Sequence, residues 1–185
     1  MTVEHTPIND LIVITPKRFG DDRGYFAETF RASSLPESVA FVQDNESMSR
    51  AGVLRGLHFQ NPPHAQGKLV SCVRGSVYDV ALDIRSDSPT YGHWYGEILS
   101  ADNMKRLWIP PGFAHGFLTL EDDTIFQYKC TDYYAPDAEG CIAWDSLDIP
   151  WEKIWNNAKM GDFDPNLSEK DQKGIIFSDF TSNFK

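Results

Sequence analysis

Apolar and polar residues alternate in short runs along most of this chain, and glycine, proline and acidic clusters separate the runs. Alternation with a period of two puts successive side chains on opposite faces of a strand. Residues 10–16 (DLIVITP) give a β-rich run closed by Pro16. Residues 20–24 give a turn, and 25–30 a strand with aromatics on alternate positions. In 41–49 the alternation puts Gln43 and Asn45 on one face. In 54–60 it puts Leu54, Gly56, His58 and Gln60 on one face, with Arg55, Leu57 and Phe59 on the other. Residues 68–74 and 76–84 suit a hairpin folded across Arg74-Gly75; Val77, Asp79, Ala81 and Asp83 then lie opposite Tyr78, Val80, Leu82 and Ile84. Further strands are expected at 93–99, 107–109, 115–120, 124–130 and 141–144. Helical signals are few. Residues 31–39 (RASSLPESV) suit one turn, and in LSEKDQKG Ser168 suits a cap with Asp171 at the third helical position. About ten short strands without a long amphipathic helix predict an all-β chain, a jelly-roll sandwich or barrel with short peripheral helices. One domain spanning residues 1–185 is expected.

Composition narrows the partners. A net charge of −10 and a pI near 4.8 argue against nucleic acid, which calls for a basic face. An anionic small molecule would have to be met by particular arginines and lysines. No apolar run is long enough to span a bilayer, and the first residues are polar, so no membrane partner and a cytoplasmic location are expected. Cys72, Cys130 and Cys141 are odd in number and far apart, which suits buried thiols better than a disulfide framework or a zinc knuckle.

The chemistry concentrates in residues 54–70 (LRGLHFQNPPHAQGKLV), where Arg55, His58 and Lys68 stand among apolar and turn residues. A second constellation, PPGFAHGF, puts His115 just after two prolines and a glycine, at the mouth of a strand. This pattern resembles the second motif of cupins, a jelly-roll superfamily in which that histidine often binds metal. A metal needs three or four ligands at fixed geometry. The stretch corresponding to the first cupin motif, LHFQ, supplies His58 alone, and His64 lies beyond a Pro-Pro loop. No metal and no cofactor are expected on ligand count.

Seven blocks in order, FGDDRGYFAETF, FVQDNESMS, VLRGLHFQ, QGKLVSCVRGSVYDVALDIRSDSPTYG, LWIPPGFAHGF, YKCTDYY and LSEKD, carry a closer resemblance. The chain resembles the dTDP-4-dehydrorhamnose 3,5-epimerase family over nearly its whole length. The resemblance implies His58 as general base, Asp171 as its partner, Tyr128 as proton donor and Lys68 beside the keto oxygen. It implies that Arg23, Glu28, Gln43, Asn45, Arg55, His115, Glu139 and Lys170 bind the substrate, a dTDP-4-keto-6-deoxysugar, and that Tyr134 stacks on thymine. It also implies a homodimer in which N-terminal strands are exchanged. The residue types suit the chemistry. Removing a proton beside a ketone needs a base that titrates near neutrality. An enolate needs a fixed cation, and inversion needs an acid on the opposite face. A single-carbon epimerase of a related sugar would use the same base pair, whereas a non-catalytic sugar-nucleotide binder would have no use for it.

Overall fold

The computed structural model describes residues 1–36 and 39–185. Its strands are β1 (Thr2–His5), β2 (Ile12–Thr15), β3 (Arg18–Asp21), β4 (Gly24–Ala27), β5 (Gln43–Ser49), β6 (Leu54–Gln60) and β7 (Lys68–Arg74). These are followed by β8 (Ser76–Asp83), β9 (Trp94–Ser100), β10 (Arg106–Ile109), β11 (Phe113–Thr119), β12 (Thr124–Cys130) and β13 (Glu139–Cys141). Six form one antiparallel sheet in the order β1-β2-β10-β7-β12-β5, and five a second in the order β13-β6-β11-β8-β9. The β3–β4 hairpin stands apart from both. This is the expected all-β jelly-roll sandwich.

Burial explains the layering. Val70, Cys72, Leu107 and Phe126 of the first sheet meet Val77, Ala81, Phe113 and Phe117 of the second in the core between the sheets. The outer face of the second sheet, with Leu54, Leu57, Tyr78, Val80 and Leu82, is covered by Trp151, Trp155 and Phe184 from the C-terminal segment. β8 is therefore buried on both faces: Tyr78, Val80 and Leu82, with Ile84 just after them, go to the outer core, and Val77 and Ala81, alternating with the buried carboxylates Asp79 and Asp83, go to the inner side. The outer face of the first sheet is partly covered by Phe30, Leu35 and Phe41. No helix among the described residues is long and apolar enough to cross a membrane.

The structure corrects several local expectations. β7 and β8 are not a hairpin: β7 pairs with β10 and β12, while β8 pairs with β9 and β11. Gly75, at φ +74°, is the corner where the chain leaves one sheet for the other, which lets β8 sit between two apolar layers. The expected turn over 20–24 narrows to residues 22 and 23, closed by the pairing of Asp21 with Gly24; the expected strand over 25–30 begins at Gly24 and ends at Ala27, and β3 before it was not expected. In 31–39 a single 3-10 turn spans Ala32–Ser34, ahead of Pro36; residues 37 and 38 lie outside the described residues. The expected strand over 141–144 begins earlier, as Glu139–Cys141. The pattern gave no sign of α1 (Trp151–Asn157), whose buried Trp151 and Trp155 dock on the outer core. Trp151, Ile154 and Trp155 do keep helical spacing, but a single such group in seven residues is too short to register as a sustained period.

The consequential departure lies in β6. His58 pairs with His115, but the next pairing along β11 is Phe117 with Arg55. Gly116 alone thus opposes both Gly56 and Leu57, a β-bulge that shifts the side-chain phase by one. Strict alternation separated Arg55 from His58. The bulge returns both to one face and leaves Leu54 and Leu57 together in the core. Gly56 permits this at φ +128°, where a Cβ would stand 2.5 Å from the Gly116 Cα.

Candidate active site

A cavity of about 430 Å3 opens between the two sheets. His58 and His115, neighbours in register on β6 and β11, form part of one wall; Gln43, Asn45, Lys68 and Tyr128 approach from the other sheet. His58 Nε2 lies 2.8 Å from Asp171 Oδ1, a short contact that is bent away from a linear hydrogen bond. Asp171 is buried and fixed from several directions. The Gly56 amide donates to Oδ1 at 2.9 Å, and the Ser168 hydroxyl donates to Oδ2 at 2.5 Å. The Asp171 amide donates back to Ser168 Oγ at 3.2 Å and the Ser168 amide to Oδ2 at 3.3 Å, the reciprocal pair the sequence suggested; but the 3-10 turn spans only Asp171–Lys173, so Asp171 opens it after Lys170 and is not at its third position. Burial alone would raise the Asp171 carboxyl, but the bonds from His58, Ser168 and Gly56 outweigh it and hold the group well below the usual carboxylate range.

The opposite wall carries groups of another kind. Lys68 Nζ stands 6.0 Å from the centre of the Tyr128 ring. Burial pushes the Lys68 ammonium below the ordinary lysine range, and burial likewise pushes the Tyr128 phenol up. At the rim, Tyr134 donates its hydroxyl to Glu139 Oε2 at 2.8 Å, and Glu139 also pairs with Lys170. The Glu139 carboxyl is raised by burial but lowered further by Lys170 and Tyr134, so it stays ionised. Its Oε1 lies 3.8 Å from His58 Nδ1.

The chain matches the family described as dTDP-4-dehydrorhamnose 3,5-epimerase over residues 5–179. It belongs to that family. The dTDP-4-dehydrorhamnose 3,5-epimerase of Salmonella typhimurium is 50% identical over 175 residues, 92% of each chain. Among solved structures, the family's enzyme from Bacillus anthracis, with TDP and PPi bound, superposes at a TM-score of 0.87 with 43% identity, covering 95% of this chain and 99% of that one. The epimerase from Legionella pneumophila, in complex with dTDP-4-keto-L-rhamnose, gives a TM-score of 0.86 at 42% identity, covering 97% and 94%.

Of the thirteen positions singled out through the epimerase resemblance, eleven line the cavity: His58, Tyr128, Asp171, Lys68, Gln43, Asn45, Arg55, His115, Tyr134, Glu139 and Lys170. Arg23 and Glu28 do not line it. Arg23 pairs with Asp21 at 2.5 Å at the exposed turn of the β3–β4 hairpin, and Glu28 pairs with Arg31 at 2.7 Å. His115 proves to be in mid-strand and buried, with Nε2 2.8 Å from Asp79 Oδ2.

Sequence reasoning missed Gln60, Gln66 and the lining role of Ser168. Gln60 anchors the loop that carries Tyr134: its Oε1 accepts from the Ala135 amide at 2.9 Å, and its Nε2 donates to the Tyr133 carbonyl. Nothing in a lone strand glutamine signals that duty. Cys141 was read as a small hydrophobe, yet it is the cross-strand partner of His58. With His58 and Asp171 it places three potential metal-ligand atoms within 4.8 Å of one another. As a resident metal site the set fits poorly. Burial raises the Cys141 thiol to about 11, away from the thiolate that binds metal, and both Asp171 oxygens are already engaged.

Proposed function

We propose that this chain, as one domain in the cytoplasm, epimerises dTDP-4-dehydro-6-deoxy-D-glucose at carbons 3 and 5, giving dTDP-4-dehydro-L-rhamnose. The observation that carries this reading is the placement of the His58–Asp171 pair and of Tyr128 on opposite walls of one cavity, with Lys68 between the sheets beside the phenol. Three free cysteines agree with a reducing compartment.

In this scheme Asp171 fixes the orientation and tautomer of His58 through Nε2, leaving Nδ1 as the basic nitrogen. That nitrogen takes the proton from a carbon next to the 4-keto group. The electron pair moves into an enolate whose oxygen is stabilised by the Lys68 ammonium. Tyr128, kept protonated by its raised range, returns a proton to the opposite face of the carbon, which inverts it. Repetition at the second flanking carbon completes the double epimerisation without oxidation, metal or cofactor. Arg55 and Lys170 supply local positive charge for the diphosphate against the acidic net charge, with Gln43 and Asn45 as polar contacts. Tyr134, 54% exposed at the rim, offers its ring face to the thymine.

The chain acts as a homodimer in which the N-terminal strands are exchanged and Arg23 and Glu28 enter the partner's cavity. Three features support this. β1 is an exposed sheet edge, the β3–β4 hairpin leaves Phe19, Tyr25 and Phe26 exposed at 55%, 59% and 71%, and neither Arg23 nor Glu28 lines the cavity of its own chain. Sedimentation at micromolar concentration should give a dimer; monomer alone would refute the exchange.

The deciding experiment is solvent deuterium exchange into the sugar, read by NMR in the presence of a chelator. Exchange at both carbons 3 and 5 is expected. Exchange at one carbon alone would identify a single-carbon epimerase, and no exchange would overturn the proposal.

A further inference from the structure

Beside the His58–Asp171 pair stands a second imidazole–carboxylate pair; the family resemblance makes its His115 a substrate contact, but nothing above gives its Asp79 a task. We propose that Asp79 is a positioning residue: it sets the tautomer of His115, so that His115 Nδ1 accepts a hydrogen bond from the C2 hydroxyl of the sugar. The proposal rests on the epimerase reading for the identity of the sugar.

Asp79 lies on β8, fully buried, with Oδ2 2.8 Å from His115 Nε2. Its Oδ1 is buried without a partner among the described residues. A carboxylate taken out of water is normally surrounded by several donors. Here the single donor is the imidazole, and the fold keeps the carboxylate behind it. An ionised carboxylate can only accept, so the proton of the contact sits on Nε2 of His115. In the neutral ring the lone pair then falls on Nδ1. The ring cannot turn freely. It stacks on Phe126 at 6.1 Å and 18°, and Phe117 flanks it at 6.2 Å. His115 lines the cavity directly beside His58 in register, and Nδ1 has no partner among the described residues.

The substrate chemistry picks the hydroxyl. Carbons 3 and 5 are inverted and carbon 4 is the ketone, so the C2 hydroxyl is the only ring hydroxyl whose carbon keeps its configuration throughout. A fixed acceptor on the wall that carries the base can hold that group through both inversions, whereas the C3 hydroxyl changes face. Interactions that persist in this way keep the sugar in register while protons are exchanged.

The first test uses the wild-type protein. Nitrogen-15 NMR of the histidine rings, with His115 assigned by the peaks lost in His115→Gln, should show a neutral ring protonated at Nε2. A ring protonated at Nδ1, or at both nitrogens, would overturn the proposal. The second test uses Asp79→Asn, whose amide can donate to Nε2 and leave the proton on Nδ1. KM for the natural substrate should rise by about tenfold, the loss of one hydrogen bond. Affinity for dTDP should be unchanged, and the variant and the wild type should handle a 2-deoxy analogue alike. An unchanged KM, or an equal loss on the 2-deoxy analogue, would refute the role. The tautomer is read whether or not turnover occurs, so failure of the epimerase reading shows separately, as absence of deuterium exchange in the wild type.

Discussion

Asp171 holds His58 from a segment that contributes no strand to either sheet. Its Oδ1 stands 2.8 Å from His58 Nε2 and also receives the amide of Gly56, two residues before that histidine, so one carboxylate fixes both the side chain and the backbone bulge that aims it. Replacing it by asparagine keeps the size and a hydrogen bond but loses the charge and permits the wrong tautomer. Asp171→Asn should fold and should lose roughly 10²–10⁴ in kcat. Deuterium incorporation should fall in parallel at both carbons, as measured by NMR.

The same contacts make stability depend on acid. The folded-state pKa of Asp171 is depressed, so its contribution is fully present above the unfolded carboxylate value of about 3.9 and is lost as pH falls towards the lower folded value. Urea unfolding of wild type and Asp171→Asn at pH 7 and at pH 3 should therefore give a smaller stability difference at the lower pH. A difference independent of pH would contradict the assignment.

Lys68 and Tyr128 predict the alkaline side of the rate profile. Burial lowers the lysine and raises the tyrosine. Loss of the ammonium proton as pH rises would remove the charge that the proposed scheme sets beside the enolate. kcat should fall with an apparent pKa below the ordinary lysine value of about 10.4. In Lys68→Arg, whose side chain keeps its proton, that limb should move to higher pH at a lower maximal rate.

The proposed exchange of N-terminal strands predicts complementation. Arg23→Ala and His58→Ala should each be poorly active as pure proteins. A heterodimer of the two chains would hold one site with both residues intact. Equal amounts unfolded and refolded together should regain about a quarter of wild-type activity, because half the dimers are mixed and each has one complete site. No recovery would place Arg23 in its own chain's site or outside catalysis.

Gly56→Ala tests the bulge. The new Cβ would meet the Gly116 backbone at 2.5 Å in a conformation that side chains rarely adopt. Destabilisation of roughly 2–5 kcal/mol is expected from strain and overlap combined. Denaturant unfolding measures it, and deuterium exchange should fall further than the loss of folded protein explains.

Much of the strand framework was legible because alternation is a local property. The run 124–130 became β12 without adjustment, and the two faces of β8 were assigned correctly although both are buried. The family blocks supplied the site list, and most of it converges on one cavity. Those residues were recognised as members of ordered motifs. Composition and spacing alone did not bring them together.

What the sequence determined by itself was the class of fold, the strand positions and the kinds of chemical group present, since each follows from neighbours in the chain. The tertiary structure alone decided which strands pair and which side chains meet. Residues 74–76 favour a tight turn whether the next strand folds back or crosses to the other sheet, and only the cover available for both buried faces of β8 selects the crossing. Arg55 and His58 share a face because one residue of β11 opposes two of β6, a relation between strands that are distant in sequence. Asp79 behind His115 was invisible for the same reason: a buried carboxylate acquires a task from the group packed against it, and that group is fixed only when the sheet has formed.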